Sequence, residues 1–152
     1  MRRTLPVIGL LVALAFASVA LGAVKHYRGP IQQGGHVAFQ AKIRHHKAKT
    51  VKNFYFFKLK LTCEKAPPGA SRSIKISNKS PVNLPFPTMR VNHGVFEGSF
   101  YKAQFKTRGE VKGQFSDHYR KAAGTLRVHG RPLGSAFGRC DTGAVDWTAK
   151  KR

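Results

Sequence analysis

Acidic side chains are nearly missing from this chain. Glu64, Glu97, Glu110, Asp117, Asp141 and Asp146 are the six carboxylates in 152 residues. General acid–base chemistry needs groups whose surroundings drive their pKa values apart. Here no two acids form a motif, and each is expected at a turn or on the solvent side of a strand. Glu97 and Glu110 can meet across a Val95–Phe115 hairpin, but among so much positive charge they read as ionised ion-pair partners. No catalytic residue is assigned, and the chain is read as a non-enzyme. Cysteine is just as sparse: Cys63 and Cys140 stand alone, at no zinc-finger spacing. The seven histidines, His26, His36, His45, His46, His93, His118 and His129, show no HExxH pattern. A dense cationic setting also works against a divalent ion, so neither metal nor cofactor is expected. Nucleophile-elbow and P-loop glycine patterns are absent as well.

Long apolar runs are limited to one, at the start. Arg2 and Arg3 precede an apolar stretch from Leu5 to Ala17, followed by small residues around Ala20 and Ala23. A charged start, a short apolar core and small residues at a cut site have the form of a secretory signal peptide. The run falls short of the roughly 20 residues that cross a bilayer. The expected layout is a leader over residues 1–23, with Ala20 as the second candidate cut site, then one domain over residues 24–152. Cleavage after Ala23 removes two of the 28 basic residues and no acid, which takes the net charge from +22 to +20 on 129 residues. No membrane anchor remains after it, so a secreted or extracytoplasmic location is expected. In that setting two cysteines most simply form one disulfide, the alternative being two reduced, buried thiols.

Helical periodicity is the last absence: no window sustains it with caps. The pattern has period two instead, which reads as half-buried strands. Val37, Phe39, Ala41 and Ile43 share one face. From Val51 to Cys63, the residues Tyr55, Phe57, Leu59 and Leu61 share another, with Asn53 interrupting. Phe96 and Phe100, then Val111, Gly113 and Phe115, then Leu126 and Val128 continue the pattern. Val145, Trp147 and Ala149 close it, which predicts a buried Trp147. Asn92-His93-Gly94, Arg108-Gly109, His129-Gly130 and Asp141-Thr142-Gly143 read as turns. Residues 64–92 hold five of the eight prolines and read as a crossover loop around one short Ile74–Ile76 piece. The fold class is all-β: a single-domain antiparallel β-sandwich or small barrel-like sheet with one disulfide. Glycines two residues before an aromatic (Gly94, Gly98, Gly113) leave room for rings to lie across a neighbouring backbone.

The order Gly94-Val95-Phe96-Glu97-Gly98, Val111-Lys112-Gly113-Gln114-Phe115, Ala123-Gly124-Thr125-Leu126, Cys140-Asp141-Thr142-Gly143 and Trp147-Thr148-Ala149-Lys150 resembles small exported β-rich proteins of high-GC Gram-positive bacteria. Tyr27-Arg28-Gly29 and Cys63 extend the resemblance, which otherwise covers about the last 60 residues. It implies a disulfide-linked β-domain outside the cell membrane and carries no functional residue onto this chain.

One constellation of side chains rises above background. Lys42, Arg44, Lys47, Lys49 and Lys52, with His45 and His46, fill a presumed hairpin connection. On the strand that follows, Lys52, Phe54, Phe56, Lys58 and Lys60 share a face. Phenylalanines framed by lysines are what a stacking platform in an electrostatic groove requires; the alternative is that both rings are core while the lysines reach outward. The candidate binding set is therefore Arg44, Lys47, Lys49, Lys52, Phe54, Phe56, Lys58 and Lys60. Tyr101, Lys102, Lys106 and Arg108 carry more charge to a second hairpin, read as ordinary solvated surface. Expected partners are anionic polymers or surfaces: wall phosphate polymer, anionic lipid or nucleic acid, held by nonspecific electrostatics. The competing expectation is a structural or interaction protein of the cell envelope with no polyanion ligand.

Overall fold

Alternation of apolar and polar residues becomes, in three dimensions, alternation between a ring-filled interior and solvent. The structure, a computed structural model, describes residues 22–79 and 84–152. The expected leader therefore lies outside the described residues, apart from Gly22 and Ala23. The strands are β1 (Ala23–Pro30), β2 (His36–Arg44), β3 (Lys47–Phe57), β4 (Leu59–Cys63), β5 (Ser73–Ile76), β6 (Met89–Asn92), β7 (Val95–Lys102), β8 (Thr107–Ser116), β9 (Lys121–Gly130), β10 (Cys140–Asp141) and β11 (Val145–Lys151). All pair antiparallel in the order β11-β1-β2-β3-β6-β7-β8-β9. A further β9–β11 ladder from Lys121↔Lys150 to Leu126↔Val145 closes these eight strands into a barrel. Of the two architectures the sequence allows, the barrel is the one formed. Past the closure β9 also pairs with β10, then β4 and β5, as a flap at one end.

Tight turns set the hairpin registers. His45 (φ 49°) and His46 (φ 59°) are the central pair of the β2–β3 turn, and His93 (φ 49°) with Gly94 (φ 80°) makes the β6–β7 turn. Both have the paired positive φ values that match the twist of two-residue hairpins. Arg108-Gly109 is not a turn. It lies within β8, and the chain reverses earlier, through a 3₁₀ turn at Ala103–Phe105 and the left-handed Lys106. Gly109 is small for packing: a Cβ there would collide with the Phe100 ring. The proline-rich segment 64–92 is also more than a crossover. It supplies β5 and, at its end, the barrel strand β6, which bridges β3 and β7.

The long strand through Val51–Cys63 departs most from the sequence expectation. Asn53 takes φ 51° in a bulge, where the register jumps between Ala38 and Gln40 on the partner strand. One extra residue inverts the alternation after it, so Phe54 and Phe56 point inward while Tyr55 and Phe57 face outward, half-buried. Lys58 then takes φ 54°, and a second inversion returns Leu59, Leu61 and Cys63 to the inside. The same break ends β3 and lets β4 leave the barrel.

A matching fork occurs at Thr142. β10 runs to β4 and β11 runs to β1, while the Thr142 hydroxyl accepts the Val128 N–H at 2.9 Å and keeps β9 bonded through the gap. The two forked ends meet at Cys63↔Cys140, joined by the disulfide. Closing a loop of sequence separation 77 removes about 4.5 kcal/mol of unfolded-state entropy in the chain-entropy account. Beside the fork the buried Asn78 side chain acts as a missing strand. Its Oδ1 accepts the Phe56 N–H at 3.0 Å, and its Nδ2 donates to the carbonyls of Phe54 at 3.0 Å and Leu84 at 3.4 Å.

The interior is built around Phe39. Its ring stacks on Tyr27 at 4.9 Å and Phe54 at 5.6 Å, and meets Trp147 and Phe115 edge-on at 5.9 and 6.2 Å. Phe96 completes the cluster beside Gly113, where a Cβ would collide with Phe96 and Trp147. Trp147 is 1% exposed, as its strand pattern predicts. The Tyr27 hydroxyl donates to the Tyr119 carbonyl at 2.6 Å, and burial pushes this phenol above its usual pKa.

Asn78→Ala orphans the Phe56 N–H and the Phe54 carbonyl at once. The expected loss is about 3 kcal/mol, read from urea unfolding. Asn78→Asp sets a buried carboxylate against the Phe54 and Leu84 carbonyls and should cost at least as much as the alanine at neutral pH.

Candidate functional site

With eight aromatic rings buried in the core among the described residues, this barrel differs from those that hold a small ligand in the lumen, and chemistry has to be sought on its outer surface. The eight candidate residues divide there. Arg44, Lys47 and Lys49 are exposed at the β2–β3 turn, with Arg44 directly opposite Lys47. Lys52 is exposed beside the Asn53 bulge. Lys58 and Lys60 lie past the far end of β3, about 35 Å along the strand from Lys47 at some 3.3 Å per residue, so they form no single site with the turn. Phe54 and Phe56 are 1% and 0% exposed. The stacking platform is therefore not made by this pair: the bulge has turned both rings into the core.

The same bulge brings Tyr55 and Phe57 to the outer face of β1–β3. Cross-strand rows there read Arg28–Ala38–Tyr55 and Pro30–His36–Phe57. His36 stacks on Phe57 at 4.6 Å, and the Lys79 ammonium lies 4.0 Å from the Tyr55 ring centroid. Arg28 Nη2 donates to His36 Nε2 at 3.0 Å, which requires a neutral imidazole. Burial, then the charges of Arg28, Lys58 and Arg152, hold the His36 pKa below its usual value. A shallow groove of about 260 Å³ runs here between Arg28 and Tyr55, over Ala38, with Gln40 and Asn53 at one end and Arg152 beside it.

A second groove, of about 360 Å³, opens where β7, β8 and β9 end. Tyr101, Arg108 and His129 are neighbours across three strands. Lys106 comes from the preceding turn, and Arg131 and Arg139 from the connection between β9 and β10. Gly130 (φ 136°) forms the floor, because any Cβ would strike Lys106 and Thr107. The buried Thr107 hydroxyl accepts the Arg131 N–H at 3.1 Å and donates to the Phe105 carbonyl at 2.8 Å, which fixes the loop carrying Arg131. Tyr101 is 62% exposed. Four permanent cations and one histidine line this groove with no carboxylate among them.

Four of the six acids are engaged elsewhere. Asp141 takes Arg127 in a two-pronged pair at 2.6 and 3.2 Å, and this hydrogen bonding lowers its pKa. Glu97 sits opposite Lys112, at 3.6 Å, rather than opposite Glu110, and Asp117 pairs with Lys121 at 3.5 Å. Glu64 Oε2 accepts the Arg139 N–H at 3.1 Å. No group of three or more His, Cys, Asp or Glu able to hold a metal occurs among the described residues. The sequence reading missed the outward pair Tyr55 and Phe57, for which the interrupting Asn53 was the available signal. It also missed Arg131 and Arg139, which no local pattern links to Arg108. Comparison with protein-family models, curated proteins and solved structures gives no match to this chain.

His36 yields a pH prediction. Its folded pKa lies below that of the unfolded chain, so the unfolded state binds more protons between the two values. Stability from this group is complete above pH about 6.5 and is lost as pH falls through the folded pKa. Urea midpoints across pH 5–7.5 should show that decline, and His36→Gln should flatten it.

Proposed function

We propose that the mature chain is an exported, non-catalytic binding module for anionic polymers, and that the groove of Tyr101, Lys106, Arg108, His129, Arg131 and Arg139 is its principal phosphate contact. The observation that carries this reading is the convergence of four unneutralised cations from separate segments on one concavity. Arginine presents a planar fork of donors that suits phosphate oxygens. Like charges held this close repel in the free protein, and a bound polyanion removes that repulsion while releasing its own condensed counterions. The Cys63–Cys140 disulfide suits an oxidising compartment. Together with the signal-like start of the sequence, it supports a location outside the cytoplasm. No helix among the described residues is long and apolar enough to cross a membrane.

The test is a titration with inorganic polyphosphate, anionic vesicles and single-stranded DNA over a salt series. Affinity should fall steeply with salt. Arg108→Gln, Arg131→Gln and Arg139→Gln together should reduce the log–log slope on single strands by about 2, near 0.7 for each phosphate no longer neutralised. The same number of substitutions at the β2–β3 turn (Arg44→Gln, Lys47→Gln, Lys49→Gln) should change it less. Absence of binding to all three polymers at low salt would overturn the proposal in favour of a structural envelope role.

A further inference from the structure

The groove on β1–β3 differs in chemistry from the arginine groove, and we infer that it is a stacking site for a nucleobase, which makes single-stranded nucleic acid the preferred anionic polymer. This inference rests on the proposed binding of polyanions and names which one. Four observations converge on it.

Arg28 and Tyr55 lie in one cross-strand row with Ala38 between them. Their strands are two places apart, about 9.5 Å. A planar ring in ordinary contact with a group on each side needs two separations of about 3.5–4 Å. One flat ring therefore fits above the Ala38 methyl, between a guanidinium and a phenol, where any larger side chain would fill the gap. The guanidinium is held in advance: Arg28 donates to His36, and His36 is stacked on Phe57. That bond limits the ordering cost of binding.

At one end of the groove, Asn53 Nδ2 donates to Gln40 Oε1 at 3.1 Å. This leaves the Asn53 carbonyl oxygen and the Gln40 amide group with capacity for one acceptor and one donor contact. Such a combination reads the edge of an unpaired base. Around the ring space stand Arg28, Arg152 and the Lys79 ammonium over Tyr55, and no Asp or Glu side chain lines the groove. A backbone phosphate on either side of the base would find a cation. Aromatic faces beside a positive track are the general means of holding single strands without sequence preference. A bare phosphate polymer uses the cations alone and leaves the Ala38 gap unfilled.

The decisive comparison uses the full chain and three polymers of equal charge number: a single-stranded deoxythymidine oligonucleotide, its abasic counterpart and a glycerol-phosphate polymer. At moderate salt the oligonucleotide should bind about tenfold tighter than the other two, within the range one base–aromatic stack supplies. Tyr55→Leu should abolish that margin while the folded far-UV spectrum is retained, and Tyr55→Phe should keep the margin. The triple arginine variant of the other groove should weaken all three polymers together. Equal affinity of the wild-type protein for oligonucleotide and abasic chain would overturn the base site while leaving polyanion binding intact. Tightest binding to the glycerol-phosphate polymer would overturn it in favour of a wall-polymer ligand. Failure of all three polymers to bind would remove both proposals.

Discussion

Everything in this molecule depends on the ring cluster around Phe39. With a net charge of +22 the chain repels itself when compact, and ion pairs do little to offset this. The three found among the described residues are all on the surface, where such pairs contribute on the order of 1 kcal/mol or less. Several basic residues even face one another across strands: Arg44 and Lys47, Lys60 and Lys75, Lys121 and Lys150. Burial of large side chains, at roughly 1.5–3 kcal/mol each, has to exceed that repulsion. The interior accordingly takes Tyr27, Phe39, Phe54, Phe96, Phe115 and Trp147 into one contact network, and it leaves the Trp147 Nε1–H buried without an acceptor.

Filling an eight-stranded barrel with rings requires backbone concessions, and these concessions arrange the surface. Gly109 and Gly113 give up their side chains so that Phe100, Phe96 and Trp147 can lie across β8. The Asn53 bulge and the Lys58 break turn Phe54 and Phe56, then Leu59 and Leu61, toward the core. Each inward turn has an outward consequence. Tyr55 and Phe57 come to lie beside Arg28 and His36, and β4 is freed to reach β10. At the opposite fork, Gly130 and Thr107 fold the loop after β9 back so that Arg131 and Arg139 flank Arg108. Both candidate grooves are thus by-products of how the core is packed and the strands are forked.

How much of this can be read from the sequence follows from the range of each interaction. Strands with unbroken alternation are legible: β2, the inner faces of β7 and β8, and β11 with its buried Trp147 lie where period two puts them. So is the disulfide, since two cysteines leave one intramolecular pairing. The Asn53 bulge is not, because a lone positive φ at an asparagine looks like an ordinary strand position until the Ala38–Gln40 register is known. Unbroken alternation therefore puts Phe54 and Phe56 on the face opposite Leu59, where they line up with the lysines instead of the core. Gly109 reads as a turn residue for a similar reason: its task is to clear Phe100, which lies on another strand. The arginine groove is illegible on different grounds. Its residues span Tyr101 to Arg139 and meet only through the β8–β9 ladder and the fold-back at Gly130.

Folding and binding draw on the same charges with opposite sign. In the free barrel the cations around Arg108 and along the β2–β3 turn raise the energy of the compact state, since unfolding separates them. Added salt screens that repulsion and favours the fold, while it weakens any polyanion complex by reducing the gain from counterion release. A polyanion that neutralised those cations would relieve the repulsion locally, and would stabilise the barrel by linkage to the extent that it favoured the folded arrangement over the equally cationic unfolded chain. Core burial and the Cys63–Cys140 disulfide must therefore carry the fold when no partner is present. That requirement accounts for an interior packed with aromatic side chains beneath a surface whose two grooves gather cations with no Asp or Glu among them.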